Sequence, residues 1–169
     1  MKSFERLVVE QIPRLRRYAR ALTGDRVAAD DLVQDTLARA LSRRHLWIRE
    51  TRIRPWLFTI MHNLYVNQVE KRARTPALVA AEEDDVRLIA TGRAETGVIL
   101  RDLKRSLAEL SEEQREVVLL VGLEQLSYKE TARVLGIPSG TVMSRLSRGR
   151  ERLRELMSGK SGAGLKRIK

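Results

Sequence analysis

Apolar residues recur near the start of the chain at Val8, Ile12, Leu15, Ala19 and Leu22. Spacings of four, three, four and three residues put them on one face of a helix. Pro13 falls inside that helix and is expected to bend or split it, because proline lacks an N–H and crowds the preceding turn. Thr23, Gly24 and Asp25 break the pattern. A second helix is predicted over about 27–42, with Val33, Leu37, Ala40 and Leu41 facing inward. An irregular basic stretch, "RRHLWIRETR", follows it. A third helix is predicted to start near Arg54 and Pro55, since proline fits a first turn, and to end near residue 71 or 72. That is roughly 18 residues, or about 27 Å of helix.

The period is lost over 73–96, which holds Pro76, Gly92 and the acidic run Glu82, Glu83, Asp84 and Asp85. Such a stretch reads as a linker. Periodicity resumes at Ile99, Leu103, Leu107 and Leu110. Ser111 stands three residues before Gln114, with Glu112 and Glu113 between, a capping box with acids at the positive helix end. Ser127 and Glu130 repeat the signature, and Ser139 after Pro138 offers a third N-cap. The second half therefore reads as four helices with short turns. No strand alternation competes, and no internal repeat is visible. The predicted fold class is all-α: two small helical domains joined by a flexible linker. The expected boundaries are 1–74, a linker over 75–95, a second domain over 96–158 and a basic disordered tail over 159–169.

Within "YKETARVLGIPSGTVMSRL", Ala132 is small where two helices would cross, and Gly136 sits where the turn needs a positive φ. Leu135, Ile137, Val142 and Leu146 have the spacing of a shared core. The pattern predicts a helix-turn-helix whose second helix starts at Ser139. Its outward positions, Thr141, Met143, Ser144, Arg145, Ser147 and Arg148, suit the major groove, with Arg150, Arg152 and Arg154 beyond them for phosphates. The same residues would also serve as a solvated, salt-bridged helix face.

Composition narrows the choice of partner. The 169 residues carry a formal net charge of +11, with a pI near 10.8. That charge favours a polyanionic partner, nucleic acid before an anionic membrane surface. There is no cysteine, so disulfides, thiol catalysis, iron–sulfur clusters and cysteine-ligated zinc are excluded. The two histidines, His45 and His62, lie far apart with no ligand-like pattern around them. No catalytic residues, metal ligands or cofactor are predicted, and no nucleophile–base set or glycine-rich phosphate loop appears. The first residues do not form a signal peptide, and the longest apolar run, "VVLLVGL", is too short to span a bilayer. The expectation is a non-enzymatic cytoplasmic protein with no membrane insertion of its own.

Two blocks in the front half, "DDLVQDTLARAL" and "RPWLFTIMHNLYVNQVEKRAR", resemble the sigma factors of bacterial RNA polymerase, specifically the small two-domain extracytoplasmic-function (ECF) group. The stretch "LSEEQREVVLLVGLEQLSYKETARVLGIPSGTVMSRLSRGRERLR" is similar to their C-terminal domain. The resemblance implies a promoter-specificity subunit with no covalent chemistry. It would bind core RNA polymerase through the beta and beta-prime subunits and read promoter DNA at −35 as duplex and at −10 as melted strand. It implies an anti-sigma factor as a further partner.

The implied roles fall on particular residues. Asp31, Gln34 and Asp35 form a polar stripe that on its own reads as a solvated face; with the flanking match it reads as the polymerase-docking surface. His62, Asn63, Asn67, Gln68, Lys71 and Arg72 would serve the −10 element, where amides bond base edges and cations hold phosphates. Trp47 would wall the pocket for a flipped base, or else anchor its loop, while Trp56, Leu57 and Phe58 pack the core. Many relatives carry Asp where this chain has Asn67. The −35 contacts would fall on Met143, Ser144, Ser147 and Arg148, with Thr141, Arg145 and Arg150 nearby. A thioether cannot donate to guanine, so Met143 is expected to make apolar contact, as with a thymine methyl. In relatives the linker threads toward the active-site cleft, where its acids would imitate nucleic acid or simply repel it. Two other readings stay open: a free-standing dimeric helix-turn-helix regulator, and an adaptor that only sequesters a partner through the Asp31/Asp35 stripe.

Overall fold

The computed structural model describes residues 2–75 and 94–165; for Ala94 and residues 160–165 it gives the backbone path alone. Residues 76–93, which hold most of the expected linker and its acidic run, and the last four residues of the tail lie outside the described residues, while Ala94 and Glu95, expected to close the linker, open a helix. Seven α-helices are present among the described residues: α1 (Phe4–Thr23), α2 (Arg26–Ser42), α3 (Ile53–Arg74), α4 (Ala94–Ala108), α5 (Glu112–Val118), α6 (Tyr128–Leu135) and α7 (Ser139–Leu165). No strand occurs among them.

Local chemistry sets the helix ends. Ser3 caps α1, accepting from the Arg6 N–H. Gly24, at φ 68°, closes α1 by donating its N–H to the Arg20 carbonyl. Asp25 then caps α2, accepting from the Val27 and Ala28 N–H groups. The "TGD" break is thus a glycine stop joined directly to an aspartate start, which folds α2 back on α1. Pro13 does not split α1. Its missing N–H deprives the Val9 carbonyl of a helical donor, and both residues are exposed, so water can hydrate that group. Leu41, expected inside, is 49% exposed. Ala40 takes the inward position at the end of α2, and the next residue necessarily turns away.

In the first domain α2 packs against both α1 and α3. Tyr18 and Phe58 meet edge-to-face, their ring centroids 5.0 Å apart, at the centre of this core. In the second domain α5 runs into a π-helical turn over Leu119–Leu123, whose wide bond joins Glu124 N–H to the Leu119 carbonyl at 3.0 Å. Gly136, at φ 64°, and Ile137 both donate to the Ala132 carbonyl and end α6. Val117, Val142 and Leu146 form the small core of the helix-turn-helix, with Ala132, Leu135 and Ile137 packed on it. Helix α7 begins at Ser139, so the Pro138 carbonyl, accepting from the Val142 N–H at 3.1 Å, occupies the cap expected at Ser139. The helix continues past Ser158 to Leu165.

The two domains are in contact. One hydrophobic cluster runs through both: Ile53, Leu57, Met61 and Tyr65 of α3 join Leu107, Leu110, Leu120, Leu126 and Val134 of the second domain. Helix α6 lies on α3. Arg115 fastens the arrangement: its guanidinium donates to the Leu107, Ala108 and Leu110 carbonyls at the end of α4, and to the Leu22 carbonyl at the end of α1.

Candidate nucleic-acid interface

Asp31, Gln34 and Asp35 all lie exposed on α2, and none makes a salt bridge or side-chain hydrogen bond among the described residues. Beside them, α1 and α2 bound a cavity of about 260 Å³ lined by Arg16, Arg20, Arg26, Asp30, Gln34 and Leu37. The surface is therefore charged with both signs and has no internal partner for its acids.

On α3 the helical period brings Asn63, Asn67 and Lys71 onto one exposed stripe. Gln68 is half-buried and, with Arg72, falls on another flank, so one straight strand cannot meet the whole expected set. His62 adjoins the stripe but turns toward the second domain, its Nδ1 2.7 Å from the Glu116 Oε1. Trp47 packs on Phe4 at 5.6 Å between ring centroids, and Phe4 in turn meets Trp56 at 6.0 Å. The loop is thus tied to α1 by an aromatic cluster. A cavity of about 280 Å³ opens beside Trp47, between Lys2, Phe4, Leu7 and Arg49. The Trp47 Nε1 is buried with no hydrogen-bond acceptor among the described residues.

On α7 Met143, Ser144, Ser147, Arg148 and Arg150 are exposed, and Thr141 is half-buried. The Ser144 hydroxyl donates back to the Thr141 carbonyl at 3.1 Å. Arg145 is drawn aside by Glu113 of α5, at 3.4 Å. Gly149 lets α7 lie close to α5: a Cβ there would stand 2.8 Å from Val118 Cγ2. The outward face of α7 is open among the described residues, while α6 covers part of α3.

Most charged residues at the contact between domains are ones the sequence did not single out; Glu130, expected as a helix cap, and His62, expected at −10, are the exceptions. Arg17 donates to Glu124 Oε1 from Nη2 at 2.9 Å, and Arg14 Nη1 stands 3.6 Å from Glu124 Oε2. Arg52 pairs with Glu130 at 2.8 Å. Glu130 also completes the predicted capping box, accepting from Ser127 N–H at 2.9 Å while Ser127 Oγ accepts from Glu130 N–H at 3.1 Å. Burial acts to raise the Glu130 carboxyl, but the Ser127 N–H and the Arg52 charge outweigh it and hold it below its ordinary value. Arg54 is shifted down, first by burial and then by the like charges of Arg52 and Arg14. Burial pushes the Tyr18 and Tyr65 hydroxyls up. Glu124 could have been suspected too: it is a carboxylate directly after "VVLLVGL", and it is fully buried.

Comparison with known proteins matches both halves. Residues 8–62 fit the family model described as the Sigma2 domain of PhyR, and residues 100–153 fit Sigma-70, region 4. The ECF RNA polymerase sigma factor EcfG of Rhodopseudomonas palustris is 33% identical over 154 residues, 89% of this chain and 82% of that protein. The ECF sigma factor SigM of Bacillus subtilis is 28% identical over 144 residues, 83% of this chain and 86% of that one. Among solved structures, the sigma factor RpoE of Bartonella quintana, in complex with the anti-sigma factor NepR, superposes with a TM-score of 0.75 at 32% identity, over 94% of this chain and 98% of that one. CnrH in complex with the cytosolic domain of CnrY gives 0.67 at 26% identity, over 92% and 88% of the two chains. Two helical domains and two matching domain models, in one order along one chain, converge: the protein belongs to the ECF sigma factors of bacterial RNA polymerase.

Proposed function

We propose a division of labour among the three surfaces of this sigma factor. The protein binds core RNA polymerase and directs promoter-specific initiation. Asp31, Gln34 and Asp35 dock on the polymerase, through its beta-prime subunit, with the beta subunit engaging the rest of the chain. Asn63, Asn67 and Lys71 track the melted −10 strand, and the Trp47 cavity takes a base turned out of it. Met143, Ser144, Ser147 and Arg148 read −35 as duplex, with Arg150 on phosphate. The reading is supported by the exposure of Asn63, Asn67 and Lys71 on α3 and of Met143, Ser144, Ser147 and Arg148 on α7, together with α2 acids that have no internal partner among the described residues. The protein works without catalysis, in the cytoplasm; no helix among the described residues is long and apolar enough to cross a membrane. By analogy with RpoE and CnrH, whose structures hold NepR and CnrY, an anti-sigma factor holds this chain inactive.

The two elements are separated by about 25 base pairs, roughly 85 Å of duplex at 3.4 Å per base pair. In the structure the two readers touch, Arg52 meeting Glu130 at 2.8 Å. Promoter binding therefore requires the domains to part. Run-off transcription from genomic fragments with purified core polymerase tests the reading. Initiation at defined starts only when the protein is added is expected, reduced at least tenfold by Arg148→Ala. Core binding without any initiation would instead favour a sequestering adaptor, and no core binding would favour a free-standing regulator.

A further inference from the structure

The second domain covers a face of the first that is rich in arginine, with one histidine beside it. Arg14 and Arg17 of α1, Arg52 before α3, and Arg54 and His62 of α3 all lie there. Three carboxylates from three separate elements meet them: Glu116 of α5, Glu124 after the π-helical turn, and Glu130 of α6. Glu124 is fully buried between Arg17 and Arg14, while those arginines remain 49% and 42% exposed at their side chains. The match is incomplete. Arg54 makes no salt bridge among the described residues, and its buried Nε has no hydrogen-bond acceptor. Four guanidinium groups on one wall outnumber the three carboxylates that meet them, and the buried Glu124 Oε2 likewise has no hydrogen-bond partner among the described residues.

The location says what that charge belongs to. Arg52 ends the loop that carries Trp47 and Arg54 lies in the first turn of α3, so the covered face borders both elements assigned to −10. We infer that Arg14, Arg17, Arg52 and Arg54, with His62, form a phosphate-binding surface for promoter DNA, and that Glu116, Glu124 and Glu130 stand in for phosphate while the domains are closed. DNA and the second domain then compete for the same cations. The closed chain silences its own −10 domain by occupying the backbone contacts and leaving the base-reading amides uncovered. This rests on the reading of α3 as the −10 helix. Guanidinium forks suit phosphate oxygens as well as carboxylates, so each contact can be exchanged without a change of geometry at the arginine.

The test is binding of a fluorescent fork-junction DNA carrying the −10 strand to reconstituted holoenzyme over a range of salt. Two paired variants avoid leaving a buried charge alone: Arg17→Ala with Glu124→Gln, and Arg52→Ala with Glu130→Gln, glutamine keeping the capping box. Each arginine lost from a phosphate should flatten the slope of log K against log salt by about 0.7–0.9. The preference for the −10 sequence should not change. In the free chain, Glu124→Gln with Glu130→Gln should strengthen binding to the same DNA several-fold. Unchanged slopes in both paired variants overturn the proposal. So do unchanged slopes with weakened core polymerase binding, which would assign the face to an acidic protein surface. Asn63→Ala and Asn67→Ala separate the two readings. If they leave the −10 preference intact while the slopes still flatten, the phosphate face stands and the assignment of α3 to −10 fails.

Discussion

At Gly149 the backbone of α7 lies so close to α5 that an added methyl would meet Val118 Cγ2 at 2.8 Å and Gln114 Cβ at 3.4 Å. Val118 is β-branched and cannot swing aside cheaply. Gly149→Ala gains about 1 kcal/mol of helix propensity and loses about 1–3 kcal/mol to overpacking. The expected net loss of about 1 kcal/mol lowers the melting temperature by about 2–4 °C for a chain of this size. A raised melting temperature would show that α5 yields, and that the close approach is not what selects glycine. Gly149 had no sequence signature, sitting among arginines in a helix with no turn beside it. Gly136 was legible because its φ of 64° follows from the turn chemistry around it. Gln125, at φ 54°, takes the same left-handed region without being glycine, directly after the buried Glu124.

Helix α6 was legible almost to the atom, because its signals are local. Ser127 and Glu130 form the reciprocal cap that their spacing predicts, and Gly136 ends the helix. What the spacing could not reveal is that Glu130 works twice, also meeting Arg52 across the domain contact. That double use gives a pH signature. The Glu130 carboxyl is held below its ordinary value of 4.5 in the folded chain, so the stability it contributes is complete above that value and is lost as pH falls through the folded one. Glu130→Ala should therefore destabilise the chain at neutral pH, with the difference from the unaltered protein closing in acid. Denaturant titrations across pH 3–7 measure this; a difference that stays constant down to the acid limit would mean that the carboxylate charge is irrelevant. Other elements were read with small, explicable errors. Leu41 and Pro13 each obeyed exposure: the leucine lies past the last inward position, and the proline disturbs only a hydrated edge of α1.

Across the whole molecule the legible and the illegible divide by distance along the chain. Periodicity and caps gave the helices, and the resemblance of two blocks gave their joint purpose. The contact between domains pairs residues such as Arg17 and Glu124, which stand 107 positions apart and carry no mark of each other. The expectation of two domains on a flexible tether thus missed their shared hydrophobic cluster. The contact also has a thermodynamic consequence. Residues 76–93 join the domains covalently, so closure is a unimolecular event. Partly exposed ion pairs worth about 0–1 kcal/mol each can then contribute to holding it shut. Any partner that engages only the open form has its Kd divided by the open fraction: with about one molecule in a hundred open, the apparent Kd weakens about 100-fold. Arg17→Ala with Glu124→Gln alters no residue of the α2 docking stripe, yet should tighten core polymerase binding toward that limit; unchanged affinity would mean closure costs the partner nothing. The strength of a promoter response would then be set by side chains that touch neither polymerase nor base, through the occupancy of a state rather than the quality of a contact.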